Sequence, residues 1–301
     1  MLSTNNLNGI KYFPTKFISI SKKEITYGGY IPALVGPALV YTTSVLTHTS
    51  LTIPLLIVSY LIPLMVYSYD YYRDMDKDKD TNKERASHYS QKSKIYPYIM
   101  GGYLSILAIL LIVFSNWMMI AFILSFIMLG VVYPLGLKNI TQKVPAFKNM
   151  YTIFIWAAAG TFSLAFFNSL EINLAYFLIF LFFFLKMLPN TIFFDLKDII
   201  SDKKEGLKTI PVILGKEKTL KFMYTLNILS FIPLFIGIYL NIIPLFASIM
   251  LIFLLYSFYY LHKTSKKSNE EIKMNYYILS DFEFILWPIV LVLGQFFFSV
   301  V

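Results

Sequence analysis

The sequence predicts an all-α membrane protein: nine transmembrane helices in a bundle of two four-helix repeats plus one helix. Three observations predict it. Several apolar runs approach the roughly 20 residues that cross a hydrocarbon core. Charged residues make up only 14% of the 301-residue chain, against about 25% in a soluble domain. The 26 Lys and Arg residues gather into five segments, which nine crossings place on one side, the cytoplasmic one.

Residues 1–28 are polar and aromatic, with Lys11, Lys16, Lys22 and Lys23. They lack the short apolar core and cleavage site of a signal peptide. Ile10, Phe13, Phe17 and Ile20 recur near helical spacing, which predicts an interfacial helix on the membrane surface. Residues 29–301 form the nine-span domain, with spans at 29–47, 51–69, 95–115, 117–137, 150–169, 173–192, 219–240, 242–261 and 279–300. The short joins at Ser115-Asn116 and Asn241 leave open a single long bent helix at each place. The basic segments are the N-terminal segment, 73–94, 138–148, 186–221 and 263–273, whereas the connections near 48, 116, 170 and 241 carry no Lys or Arg. The N-terminus and the basic loops are then cytoplasmic, and the C-terminus is outside.

There are no cysteines, which excludes disulfides and thiolate-held metals. The net charge of +9 does not predict nucleic-acid binding, because the positive charges sit in loops between spans, where topology explains them.

The chemically unusual stretch follows span 2: Asp70-Tyr-Tyr-Arg-Asp74-Met-Asp-Lys-Asp78-Lys-Asp80. Asp70, Asp74 and Asp78 fall at i, i+4 and i+8, along one face of a helix. Each like-charge pair costs a bare helix roughly 0.2–0.5 kcal/mol, so the stack predicts a bound cation or a solvated charge run. A second acidic segment follows span 6, with Asp195, Asp198 and Asp202. Asp198 and Asp202 lie 124 residues after Asp74 and Asp78 respectively, so the two sets leave equivalent helices of the two repeats. Two carboxylate faces on one side of the membrane repel, and divalent cations relieve this. Oxygen-only donors favour Mg2+ or Mn2+ over zinc. Mg2+ takes one or two carboxylates and fills its shell with waters and phosphate oxygens, so the pair of clusters predicts a clamp on a diphosphate. Arg85, Lys208 and Lys138 are cations suited to the same group.

These residues resemble the UbiA superfamily of intramembrane prenyltransferases. Asp70, Asp74 and Asp78 match its Asn-x-x-x-Asp-x-x-x-Asp motif, with Asp in place of Asn at the first position. Asp195, Asp198 and Asp202 match Asp-x-x-Asp-x-x-x-Asp, continued by Gly206-x-Lys208-Thr209-x-x-Val212-x-x-Gly215. Tyr133-Pro134-Leu-Gly-Leu-Lys138 is also similar to the family. The resemblance runs from about Gly28 to Val301 and implies transfer of a prenyl group from an isoprenyl diphosphate donor to an aromatic or lipid acceptor. It implies that the six Asp residues hold Mg2+, that Arg85, Lys138 and Lys208 contact diphosphate with Asn82 nearby, and that Tyr133 belongs to the site. Many aromatic-acid prenyltransferases carry Asn-x-x-x-Arg-Pro and a small-residue turn after the first motif. This chain keeps Arg85 but has Ala-Ser-His88 after it, so the resemblance does not specify the acceptor.

Other residues have plainer readings. Asp76 and Asp80 lie off the acidic face and read as solvated or supporting. Lys138 also sits where a lysine snorkels to headgroups, and Tyr133 where an aromatic anchors at the interface. His48, His88 and His262 read as structural. Ser280 and Glu283 have capping-box spacing at the start of span 9. The Phe-rich run from Phe180 to Phe184 reads as packing or lipid-facing. A terpene cyclase or prenyl-diphosphate lyase uses the same metal chemistry without a separate acceptor. A divalent-cation transporter needs carboxylates at mid-membrane depth, whereas these cluster at one face.

Overall fold

The computed structural model describes residues 23–132, 138–266 and 274–300. Tyr133 and the interfacial residues Ile10, Phe13, Phe17 and Ile20 lie outside the described residues, as do the side chains of Lys138 and Asp80. Among the described residues, all regular structure is helical. The helices are α1 (Tyr30–Ala33), α2 (Val35–Thr47), α3 (Ile53–Arg73), α4 (Met75–Thr81), α5 (Lys83–Lys92), α6 (Tyr96–Phe114), α7 (Trp117–Val132) and α8 (Lys138–Lys143). They continue as α9 (Phe147–Phe167), α10 (Leu174–Asp195), α11 (Ile199–Lys204), α12 (Ile210–Leu229), α13 (Ile232–Tyr239), a 3-10 helix (Leu245–Leu251), α14 (Ile252–Ser265) and α15 (Met274–Val300).

Among the described residues, eight helical stretches are long and apolar enough to cross a membrane, and each falls on an expected span. The remaining expected span is α7, whose apolar part, Trp117–Gly130, is shorter. Both ambiguous joins are true turns. Asn116 Oδ1 accepts from Met119 N at 2.8 Å and caps α7, while Asn241 takes a left-handed φ of 58° between two helices.

Two expectations are corrected. Helix α15 starts at Met274, so Ser280 and Glu283 lie inside it and do not form a cap. Ser280 Oγ bonds back to Tyr277 O at 2.8 Å, and Glu283 Oε1 pairs with Lys186 Nζ at 2.8 Å, both side chains buried. Lys186 is therefore not a loop charge. It sits within α10 and also donates to Ser257 Oγ at 2.9 Å. A charge buried among helices persists only when paired and hydrogen-bonded.

The chain forms two compact units, one made of the described residues up to Leu34 with Tyr60–Ile109, the other of Val35–Ser59 with the residues from Leu110 onward. In the second unit α9 packs on α2 and α10, α10 on α12, and α15 on α2. Small residues allow this, as they do between membrane helices generally. A Cβ at Gly160 would lie 2.6 Å from Leu39 Cβ, and Thr43 Oγ1 donates to Gly160 O at 2.9 Å across the same approach. Aromatic side chains fill the core: Phe182 stacks on Trp287 at 5.2 Å, and Phe284 meets that indole edge-on at 4.9 Å. Phe182 and Phe183 thus pack inside the protein.

In the first unit, tyrosines pack around the end of α3: Tyr72 stacks on Tyr96 at 4.1 Å, and Tyr71 meets Tyr89 edge-on. Glu24 ties this end to the preceding segment, accepting from Tyr30 Oη at 3.1 Å and pairing with Lys92. His88 Nε2 lies 3.2 Å from Glu24 Oε2. Burial, with the nearby Lys23 charge, pushes the His88 imidazole below its ordinary value, so it is a neutral, structural group at pH 7. His48 occupies a left-handed turn with φ 51° and lies against Phe246.

Candidate active site

The first acidic segment keeps its predicted spacing although the helix is interrupted. Helix α3 ends at Arg73 and α4 begins at Met75. Across this break, Asp74 N bonds to Asp70 O at 2.9 Å, Asp78 N to Asp74 O at 2.9 Å, and Asn82 N to Asp78 O at 2.7 Å. Asp70, Asp74, Asp78 and Asn82 therefore follow one another at single-turn intervals.

Each carboxylate has a cationic partner. Arg73, which sequence reasoning passed over, lies 3.2 Å from Asp70 Oδ1 and 3.1 Å from Asp74 Oδ1. Arg85 holds the buried Asp78 at two points, Nε to Oδ2 at 2.7 Å and Nη2 to Oδ1 at 2.8 Å. Its guanidinium sits 4.3 Å from the centre of the Tyr71 ring, a cation–π contact. Burial opposes the Arg85 charge, but pairing with Asp78 raises its pKa above the ordinary value. Asn82 caps α5, its Oδ1 accepting from Arg85 N at 3.3 Å, so it fixes the helix that carries Arg85. Asp76 is spent on Lys79 at 2.6 Å, both exposed, as its off-face position predicts.

The second segment is more enclosed. Asp195 closes α10 and is buried. Lys148 Nζ donates to its Oδ1 at 2.9 Å and Asn149 Nδ2 to its Oδ2 at 2.8 Å. Asp198 is the N-cap residue of α11, and Asp202 lies one turn on, its N bonded to Asp198 O at 2.7 Å. Gly206, at φ 70°, ends α11: its N bonds to Lys203 O at 3.2 Å and Leu207 N to Asp202 O at 2.8 Å, the paired closure that needs a left-handed residue. The chain then turns so that Lys208 N bonds to Thr141 O at 3.1 Å and Ala146 N to Lys208 O at 2.9 Å. The Lys208 amine is exposed, 3.5 Å from Lys143 O. Lys138 opens α8 in the same unit.

Burial raises the pKa of Asp198 despite the fields of Lys197 and Lys148. It pushes Asp202 up to about 6, with Lys148 opposing. Sequence reasoning missed Lys148 and Asn149. Their signal was a cation and an amide side by side where span 5 leaves the basic loop 138–148.

The donor set fits a small hard cation. It is made of carboxylate oxygens, and Asp202 Oδ2 is buried without a hydrogen-bond partner among the described residues, an atom that costs stability until it is satisfied. Among the described residues no three His, Asp or Glu side chains converge on one point. A cavity of about 470 Å³, lined by Thr47, Glu171, Asn173 and Tyr176 among others, lies at the other end of α10 from Asp195 and contains none of the acidic motifs.

Solved structures share this architecture. The chain is similar to a UbiA homologue from Aeropyrum pernix K1, with TM-score 0.62 and 12% identity over 89% of this chain and 98% of that one. It is similar to a UbiA homologue from Archaeoglobus fulgidus bound to GPP and Mg2+, with TM-score 0.60 and 16% identity over 90% and 98%. A digeranylgeranylglyceryl phosphate synthase matches with TM-score 0.58 and 17% identity over 92% and 96%. At these identities the likeness is one of fold. No curated protein sequence matches the chain. The UbiA prenyltransferase family matches residues 29–281, which include both acidic segments, and the chain belongs to that family.

Proposed function

We propose that the protein is a Mg2+-dependent intramembrane prenyltransferase that moves a prenyl group from an isoprenyl diphosphate to an aromatic or lipid acceptor. The observation that carries this reading is the pair of acidic segments, each set at single-turn spacing and each partnered by its own cations, in a chain of this family. The Archaeoglobus fulgidus homologue bound to GPP and Mg2+ supports the donor class and the metal.

Asp70, Asp74, Asp78, Asp195, Asp198 and Asp202 are the carboxylates we assign to Mg2+. When bound, the metal neutralises the diphosphate as it departs. The residues of this chain do the rest. The planar guanidinium of Arg85, shaped to grip Asp78 at two points, has the same match to diphosphate oxygens. Lys208 and Lys138 supply further positive charge from the second unit, and Tyr133 precedes Lys138 by five residues in sequence. Asn82 positions Arg85 through its cap. Lys148 and Asn149 orient Asp195 through their hydrogen bonds to its two oxygens. Aromatic faces such as Tyr71 suit a neighbouring positive charge, as on an ionising allylic carbon.

The protein is a multi-pass membrane protein, and we propose that the N-terminus and motif-bearing loops are cytoplasmic and the C-terminus outside. The charge distribution supports this. The cysteine-free chain makes it testable by labelling single introduced cysteines from either side.

The function is tested with purified protein in lipid vesicles and geranyl diphosphate. Diphosphate release should require Mg2+ or Mn2+. Full activity in Asp74→Ala or Asp198→Ala sinks the mechanism. A hydrocarbon or cyclic alcohol formed from the donor alone identifies a cyclase instead.

A further inference from the structure

The second unit holds a polar group that the metal chemistry does not use. Asp281 lies on α15 and accepts from Asn190 Nδ2 of α10 at 3.4 Å. Among the described residues Asn190 is its hydrogen-bond partner. Asp281 is deep in the unit but keeps part of its surface accessible. An ionisable side chain inside a membrane bundle without a tight ion pair is expensive to keep and marks a functional position. Glu283, two residues further along, is already consumed by Lys186 and Ser257.

A second, independent observation lies one turn away. Tyr277, on the same helix, is 4% exposed, and its Oη is buried with no hydrogen-bond partner among the described residues. A buried phenol without a partner costs stability, unless a ligand supplies one. The Tyr277 ring lies against Phe193 and Phe194, and Lys197 Nζ sits 5.3 Å from its centre. Tyr277 is thus adjacent to the second acidic segment. Asn190 lies five residues, about 7.5 Å of helix, before Asp195, and Asp281 about 6 Å beyond Tyr277. Carboxylate and amide are thus joined by their hydrogen bond five residues before Asp195, and the phenol lies one turn from the carboxylate on α15.

We propose that Asp281, Asn190 and Tyr277 form the acceptor site, and that it takes an uncharged hydroxyl, an alcohol or phenol. This rests on the prenyl-transfer reading above. The acceptor hydroxyl donates to the Asp281 carboxylate, while Tyr277 Oη and Asn190 orient it. As the acceptor oxygen bonds to the prenyl C1, the bond from C1 to the diphosphate oxygen breaks. Its electron pair leaves with the diphosphate, and the hydroxyl proton passes to Asp281. A group placed to take that proton is general-base catalysis. An acceptor presenting a carboxylate here is repelled by Asp281, which has no cation within hydrogen-bond distance among the described residues.

The test uses full-length protein in vesicles with geranyl diphosphate, Mg2+ and either 2-naphthol, an uncharged phenol, or 2-naphthoate. The expected product is the geranyl ether of 2-naphthol, with no ester from 2-naphthoate. Asp281→Asn and Tyr277→Phe should lower the ratio of ether to free geraniol, by roughly 10²-fold for Asp281→Asn. A purely structural role lowers both products together and leaves the ratio unchanged. If Asp281→Asn does not fold, as judged by its melting curve, the ratio in Tyr277→Phe decides. An unchanged ratio in the folded variants overturns the proposal. So does esterification of 2-naphthoate as readily as etherification of 2-naphthol, or diphosphate release by the wild type with no ether formed. Absence of any diphosphate release by the wild type overturns the prenyl-transfer reading itself.

Discussion

Arg85 grips Asp78 at two points, 2.7 and 2.8 Å, across seven residues of chain. This pair joins α4 to α5 and places a guanidinium beside the acidic face. Arg85→Ala leaves a buried carboxylate unpaired and should destabilise the protein by about 1–3 kcal/mol, measured as a lowered melting temperature in mild detergent. Arg85→Lys retains the charge but not the fork. It should recover part of the stability while diphosphate release stays roughly 10²-fold below wild type.

Metal binding should depend on pH through the second segment. Asp202 is raised to about 6 by burial, so its carboxyl is protonated below that pH and must lose a proton to hold a cation. Because the folded pKa exceeds the unfolded one, the metal-free protein gains stability from this group at low pH and loses it as pH rises through about 6. Added Mg2+ should therefore raise the melting temperature strongly at pH 7.5 and hardly at pH 5. An equal Mg2+ shift at both pH values would remove Asp202 from the metal site.

The Lys186–Glu283 pair is buried on both sides. Removing one partner should cost about 3–5 kcal/mol, whereas replacing both with apolar residues should recover most of the loss. The comparison is Lys186→Met, Glu283→Leu and the double variant in denaturant-induced unfolding. Simple additivity of the two single losses would show that the pair is not coupled.

At Gly160, α9 approaches α2 closely. Gly160→Ala puts a Cβ 2.6 Å from Leu39 Cβ and should cost about 1–3 kcal/mol through overpacking. Leu39→Ala in the same chain should relieve part of it, a non-additive result that neighbouring sites give and distant ones do not.

Lys148 should matter more than its loop-edge position suggests. Lys148→Met removes the cation bonded to Asp195 and leaves that buried carboxylate with Asn149 alone. The expected outcome is a drop in geranyl diphosphate turnover of roughly 10-fold or more, with weaker Mg2+ binding in a titration.

The sequence by itself determined the all-helical membrane class, the placement of the spans and the backbone spacing of both acidic segments. These are local properties: apolar run length follows from bilayer thickness, and i, i+4 spacing follows from the helical repeat. Gly206 and Gly215 stood in the sequence as motif glycines only, and the structure shows that both take the left-handed φ that glycine favours. Only the tertiary structure decided which charge meets which. Lys186 and Glu283 are 97 residues apart in sequence and look like a span-edge lysine and a helix cap, yet they form one buried pair. Lys148 finds Asp195, and Asn190 meets Asp281. None of these partners shares a sequence period with its mate in another helix. Their meeting is set by how helices of several lengths cross and by where small residues such as Gly160 let them approach.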